Sequence, residues 1–186
     1  VACCVLGSIF NTCQADSSQE AVAAAKAYIE RLKAGDYQQA VRDHWNTNVL
    51  LSATFGLTYI ELPAAERTRA QAAFADFVAA PFANQGMTAL FKNLVIKDAT
   101  ATLVNPSTVA VRLDIEGDAG RFQAQNTMLL VKTNDGWRII DQRQGDQMSL
   151  RVALALTYVE SRGENGTIPE ALERAAAGVR KQAAAQ

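Results

Sequence analysis

The chain has 186 residues, 49% of them hydrophobic and 20% charged, enough for one compact core and too little for two comfortable domains. Eighteen basic and nineteen acidic residues give a formal charge of -1, so no whole-molecule field draws it to nucleic acid or to an anionic membrane. All three cysteines, Cys3, Cys4 and Cys13, fall in the opening segment, which excludes a disulfide-stapled core.

That opening, "VACCVLGSIFNTCQADSS", is an apolar run followed by a polar drop, as in the h-region and small-residue cleavage site of a secretory signal. Residues 1–15 are expected to be a truncated signal peptide, cut after Ala15, and 16–186 a single exported domain, periplasmic or secreted. A short buried N-terminal strand and lipid attachment at Cys13 are the alternatives, the second opposed by the poor lipobox Phe10-Asn11-Thr12. No other apolar run reaches the ~20 residues of a membrane span.

Helices come next. Ser17-Ser18-Gln19-Glu20 has capping-box spacing, and Val22, Ala25, Ile29 and Leu32 recur at helical intervals up to Gly35. Asp36-Tyr37-Gln38-Gln39 repeats the cap, and Tyr37, Val41, His44 and Trp45 line a second, shorter helix. Thr47 or Asn48 caps a third carrying Val49, Leu50 and Leu51. Pro63 suits a first helical turn, after which Ala70, Phe74, Phe77 and Val78 form a stripe that Pro81 and Gly86 bring to an end.

Periodicity then changes from 3.6 to about 2. Residues 90–103, 108–116, 121–132 and 137–142 read as strands joined by the turn-rich links "NPS", "GDAG" and "NDG", an antiparallel meander. In the second, Val109, Val111, Leu113 and Ile115 face one way, Arg112 and Asp114 the other. Such a one-sided greasy face needs helices over it. "MSLRVALALTYVES" is apolar on more than one side and predicts a largely buried helix; Thr167-Ile168-Pro169-Glu170 opens the last one. The order predicts an α+β fold in which N-terminal helices pack in the concave face of a curved antiparallel sheet, an NTF2-like or cystatin-like cone with C-terminal helices.

Catalytic chemistry finds little purchase. His44 is the only histidine, which removes His-rich metal sites, and neither a Gly-rich phosphate loop nor GxSxG occurs. Asp43-His44, with Tyr59 as a partner, and Asp114 or Asp141 are the acid/base candidates. The stripe that His44 shares with Tyr37 and Val41 favours a core or rim histidine. Asp114 falls on the polar face. Asp141 has the parity of Trp137 and Ile139, which places it inward near a sheet end, where a structural hydrogen bond to a helix terminus is favoured over general-base work. No catalytic constellation, cofactor or metal is expected.

The stretch "FGLTYIELPAAERTRAQAAFADFVAAPFA" resembles the MlaC family of periplasmic phospholipid-binding proteins in Phe55-Gly56, Tyr59, Pro63, Arg67, and Phe74 followed by Phe82. "GWRIID" resembles that family's Trp-x-x-x-Asp strand, and "SLRVALALTYVESRGENGTIPEALERA" its closing helix, loop and helix. The family's Gly-Val-Ser after the strand is displaced here to Gly145 and Ser149, and "YIERLKAGDYQQAV" is closer to generic NTF2-like domains. The resemblance implies a carrier that holds acyl chains between helices and sheet and exchanges phospholipid with a membrane complex containing an ABC transporter. Phe55, Leu57, Phe74, Phe77, Phe82, Leu90, Phe91, Val111, Leu113, Met128, Leu130 and Ile139 are the expected lining of the apolar cavity, or else simply fill a core. A non-catalytic interaction module of the cell envelope and a small isomerase or hydrolase are the other two readings.

Overall fold

A computed structural model describes residues 3–117, 120–163 and 166–185, with side chains from Asp16 onward. The described helices are α1 (Cys3–Lys33), α2 (Tyr37–His44), α3 (Thr47–Phe55), α4 (Leu57–Ile60), α5 (Ala64–Ala79), α6 (Gln85–Lys92), α7 (Leu150–Ser161) and α8 (Ile168–Ala184). The strands are β1 (Val95–Asn105), β2 (Thr108–Gly117), β3 (Phe122–Thr133) and β4 (Gly136–Gln144), paired antiparallel in the order β1-β2-β3-β4. This is the expected α+β arrangement: a meander with helices over its inner face.

The inner face follows from alternation. Val109, Val111, Leu113 and Ile115 of β2 and Met128 and Leu130 of β3 are buried, while Arg112 and Asp114 lie on the other side. Helix α1 crosses above them and contacts β1, β2 and β4. Its buried stripe is Ala21, Ala25, Tyr28, Ile29 and Leu32, and the two alanines let the helix approach the sheet closely. Trp45 and Phe74 meet edge to face at 5.5 Å in the same core, where burial pushes the Tyr28 phenol up to about 12.

Local chemistry explains the helix ends. The Gly35 N–H bonds the Leu32 carbonyl at 3.1 Å and the Asp36 N–H that of Arg31 at 3.3 Å, a pattern that needs the positive φ of Gly35, 87°. Asn46, rather than Thr47 or Asn48, caps α3, its side chain accepting from the Val49 N–H at 3.1 Å. The same Asn46 donates its own N–H to the Ile139 carbonyl at 2.8 Å, which covers the free edge of β4. Thr167 N–H donates to Glu170 at 2.9 Å, one half of a capping box that starts α8 where Thr167-Ile168-Pro169-Glu170 is expected to open it. An Arg69–Glu173 pair, 2.8 and 2.7 Å, ties α5 to α8.

Three expectations are corrected. Ser17 does not start a helix, because α1 is already running there from Cys3. The leader expected over residues 1–15 has its side chains, and Val1 and Ala2 entirely, outside the described residues. Leu90 and Phe91 do not open β1: Asn84 accepts from the Met87 N–H at 3.0 Å and starts α6, which includes Gly86 and carries both residues. Met87, Leu90 and Phe91 have the i, i+3, i+4 spacing of a helix face.

The third correction concerns α7, which is not buried. Leu154 alone is fully enclosed, and Val152, Leu156 and Val159 are 50%, 49% and 65% exposed. Those three share the i, i+4, i+7 stripe opposite Leu154, and α7 is contacted by α3, α8 and β4.

Trp137 and Ile139 both face the helices, 5% and 1% exposed. Glu20 of α1 accepts from Trp137 Nε1 at 3.2 Å and from Lys132 Nζ at 3.1 Å. The Lys132 bond first, and the Trp137 bond second, hold the Glu20 carboxyl below the usual carboxylate range. A value depressed by folding adds stability above the unfolded value and loses it as pH falls through the folded one. Glu20→Gln is therefore expected to lower the neutral-pH Tm slightly and to flatten the acid limb of a Tm–pH profile; an unchanged acid limb would mean the contact contributes nothing.

Candidate functional site

The candidate site is the inner face of the sheet and the helices above it. Phe74, Val111, Leu113, Met128 and Leu130 are 0% exposed and Ile139 is 1%, so these come together in the central core. Val111 pairs with Met128 across β2 and β3, and Leu130 with Ile139 across β3 and β4. Phe77 packs on this core, half-buried.

The remaining expected lining separates. Phe82 stacks on Tyr37 at 3.9 Å and meets Phe91 edge to face at 4.7 Å, an aromatic cluster joining α2 and α6. Leu90 lies over the end of β2, its Cδ1 3.0 Å from where a Cβ on Gly117 would stand. Phe55 instead meets Tyr158 of α7 at 5.3 Å. Leu57 does not face the interior: it opens the short α4 just after Gly56, whose φ is 57°, and is 68% exposed, while Tyr59 takes the buried position.

Clefts of about 620, 450, 680, 420 and 300 Å³ open on the surface, and of the expected lining only Phe82 borders any of these five. The two largest share Arg42 and Arg138 at the foot of α2. Their walls are mixed: Asn46, Thr68 and Gln71 stand beside Val41, Trp45 and Ala75 in one, and Glu30, Asp43 and His44 beside Ala27 in the other.

The acid/base candidates are occupied elsewhere. Tyr59 does not reach His44; its hydroxyl donates to Asn48 at 3.1 Å and accepts from Gln71 at 3.0 Å. Burial holds the half-buried His44 imidazole below its usual range, and its ring lies 6.0 Å from that of Tyr28. Asp43 accepts from Gln39 at 2.7 Å. The Arg112 guanidinium beside the half-buried Asp114 holds that carboxyl below the usual range. Among the described residues no group of three His, Cys, Asp or Glu side chains could hold a metal ion.

Asp141 carries the one change of face. Leu130 pairs with Ile139 but Leu129 with Asp141, so Ile140 is an extra residue in β4 and the bulge turns Asp141 away from the face of Ile139. There its Oδ1 accepts from the Gln142 N–H at 2.9 Å and the Arg151 N–H at 3.2 Å. Arg151 lies in the first turn of α7, so the carboxylate satisfies a free helix donor and complements the helix dipole. This is the structural hydrogen bond to a helix terminus, reached from the opposite face. Asp141→Ala should cost about 1 kcal/mol, within the ~0.5–2 kcal/mol range for lost helix caps, in a urea titration; no change would remove the capping role.

No protein-family model matches the chain, and no curated protein is similar to it in sequence. Among solved structures it is similar to the phospholipid-binding protein of Ralstonia solanacearum, determined in complex with a phospholipid, with a TM-score of 0.60 over 88% of this chain and 98% of that one. The two share a fold. Sequence identity is 15%, so the likeness extends to the fold and not to individual residues.

Proposed function

We propose that this protein is a carrier that holds phospholipid, or another hydrophobic ligand, between its helices and the inner face of its sheet. The observation that carries this reading is the shared fold with a phospholipid-binding protein solved with its ligand, over nearly the whole of both chains. The chemistry is consistent with it: a continuous apolar face of Val111, Leu113, Met128 and Leu130 needs no specific polar contact to hold acyl chains. Each buried CH₂ contributes about 0.8 kcal/mol, so a few methylenes give useful affinity.

Exchange with a membrane transport complex, in the periplasm or outside the cell, completes the proposal. The outward stripe of Val152, Leu156 and Val159 on α7 supports it, since an apolar helix face with nothing over it is suited to a lipid surface or a membrane-associated partner. Labelled phosphatidylethanolamine should pass from donor to acceptor vesicles faster when the protein is added, in proportion to its concentration. No acceleration would remove the carrier role.

A second reading, a non-catalytic interaction module, also has an observation in its favour. The central lining residues are packed against one another, and the five clefts described above lie outside them. A module would bind its partner through α7 and leave vesicle exchange at the background rate.

A further inference from the structure

Arg42, in the last turn of α2, borders the clefts of about 620, 450 and 680 Å³, and among the described residues its guanidinium has no hydrogen-bond or ion-pair partner. Arg138 of β4 borders the first and third of these with it. Its Nη1 donates to the Asp43 carbonyl, a neutral acceptor, so the bond fixes the side chain and leaves its charge uncancelled. The acids of the third cleft are already paired: Asp43 lies 3.6 Å from Arg31, and Glu30 2.9 Å from Lys33. Two guanidinium groups therefore stand at one opening with no carboxylate matched to either.

The 620 Å³ cleft gives those charges a built surface. Its floor is apolar, made by the buried Val41, Trp45 and Ala75, and the edge-to-face contact of Trp45 with Phe74 ties it to the core. The turn between β3 and β4 adds Asp135, whose carboxylate also has no partner among the described residues. The Asp135 N–H donates to Thr133 Oγ1 at 3.3 Å, which holds the turn in place. No ion pair joins Asp135 to Arg42 or Arg138, so charges of both signs border the cleft beyond reach of one another, with space between them.

We propose that this cleft binds a phosphate ester that carries an ammonium group, as a phosphoethanolamine head does, with Arg42 and Arg138 on the phosphate and Asp135 on the ammonium; that the ester belongs to a lipid rests on the carrier reading above. Unpaired groups of both signs at one opening suit a zwitterion better than a simple anion. A phosphodiester has two unbridged oxygens and can serve both guanidinium groups, whereas one planar fork is enough to fill a carboxylate. The carbons between phosphate and ammonium then lie on the indole and its apolar neighbours.

The test is titration of the full chain, and of Arg42→Gln and Asp135→Asn, with soluble glycerophosphoethanolamine, glycerophosphoglycerol and inorganic phosphate. The wild type should bind glycerophosphoethanolamine about threefold more tightly than glycerophosphoglycerol, the size of an exposed ion pair. Arg42→Gln should weaken both esters about tenfold, and Asp135→Asn should remove the preference while keeping glycerophosphoglycerol binding. Both variants should keep the wild-type Tm, because neither side chain has a partner to lose. A wild type that binds none of the three, or variants that bind as it does, would overturn the site. Inorganic phosphate bound as tightly as the esters would overturn it in favour of a free-phosphate site. Capture of dioleoylphosphatidylethanolamine from vesicles separates the two sources of the head group. Capture reduced in Arg42→Gln assigns the cleft to a lipid head; capture unchanged in a variant that has lost the soluble ester overturns the lipid source and leaves a soluble one. A wild type that binds the soluble ester but captures no lipid would overturn the carrier reading and leave the cleft standing.

Discussion

Phe74→Ala is expected to destabilise the protein by about 3–5 kcal/mol, the usual cost of truncating an enclosed phenylalanine. The ring is 0% exposed and touches Trp45, so its loss removes both the transfer free energy and the contacts of its neighbours. For a domain of this size that is a fall of very roughly 6–20 °C in Tm. The magnitude also bears on function. A ring in a close-packed core leaves a cavity when it is removed, whereas a ring bordering a space that opens to ligand leaves a smaller penalty, because the cavity term of about 24 cal/mol per Å³ was already present. A loss below about 1 kcal/mol would place Phe74 on such a space instead of in the packed centre.

Met128→Trp is expected to separate the carrier from the module. Met128 is fully buried on the inner face, opposite Val111 and Gln142. In a filled core the larger ring would strain its neighbours and cost about 1–3 kcal/mol. If acyl chains enter along this face, the indole takes their place. Excluding four methylenes then removes roughly 3 kcal/mol of binding, about a hundredfold in affinity, while the empty protein keeps its Tm. Lipid bound per protein, set beside the Tm, distinguishes the two: binding lost with Tm kept marks a ligand channel, and Tm lost with no binding to lose marks a core.

Much of the fold was legible because its determinants are local. The inner face of β2 follows from the alternation of Val109, Val111, Leu113 and Ile115, and the α1–α2 hairpin from Gly35 and the stripe before it. What escaped was set by tertiary context. Pairing with β3 creates the bulge at Ile140, which no period-2 pattern reveals, and it turns Asp141 to the opposite face. α6 was hidden because Gly86 reads as a breaker, although a glycine early in a helix leaves the Asn84 cap intact. The sequence "MSLRVALALTYVES" is apolar on two sides, and composition alone cannot tell a helix wedged in a core from one whose second side is free.

The carrier reading meets its most direct test in the lipid that travels with the protein. The chain purified without its first fifteen residues, extracted with organic solvent and compared with a mock purification by mass spectrometry, should yield phospholipid near one molecule per protein if it is a carrier, and less from Met128→Trp. A folded protein that carries no lipid and takes up none when phospholipid is added would contradict the carrier and leave an interaction module.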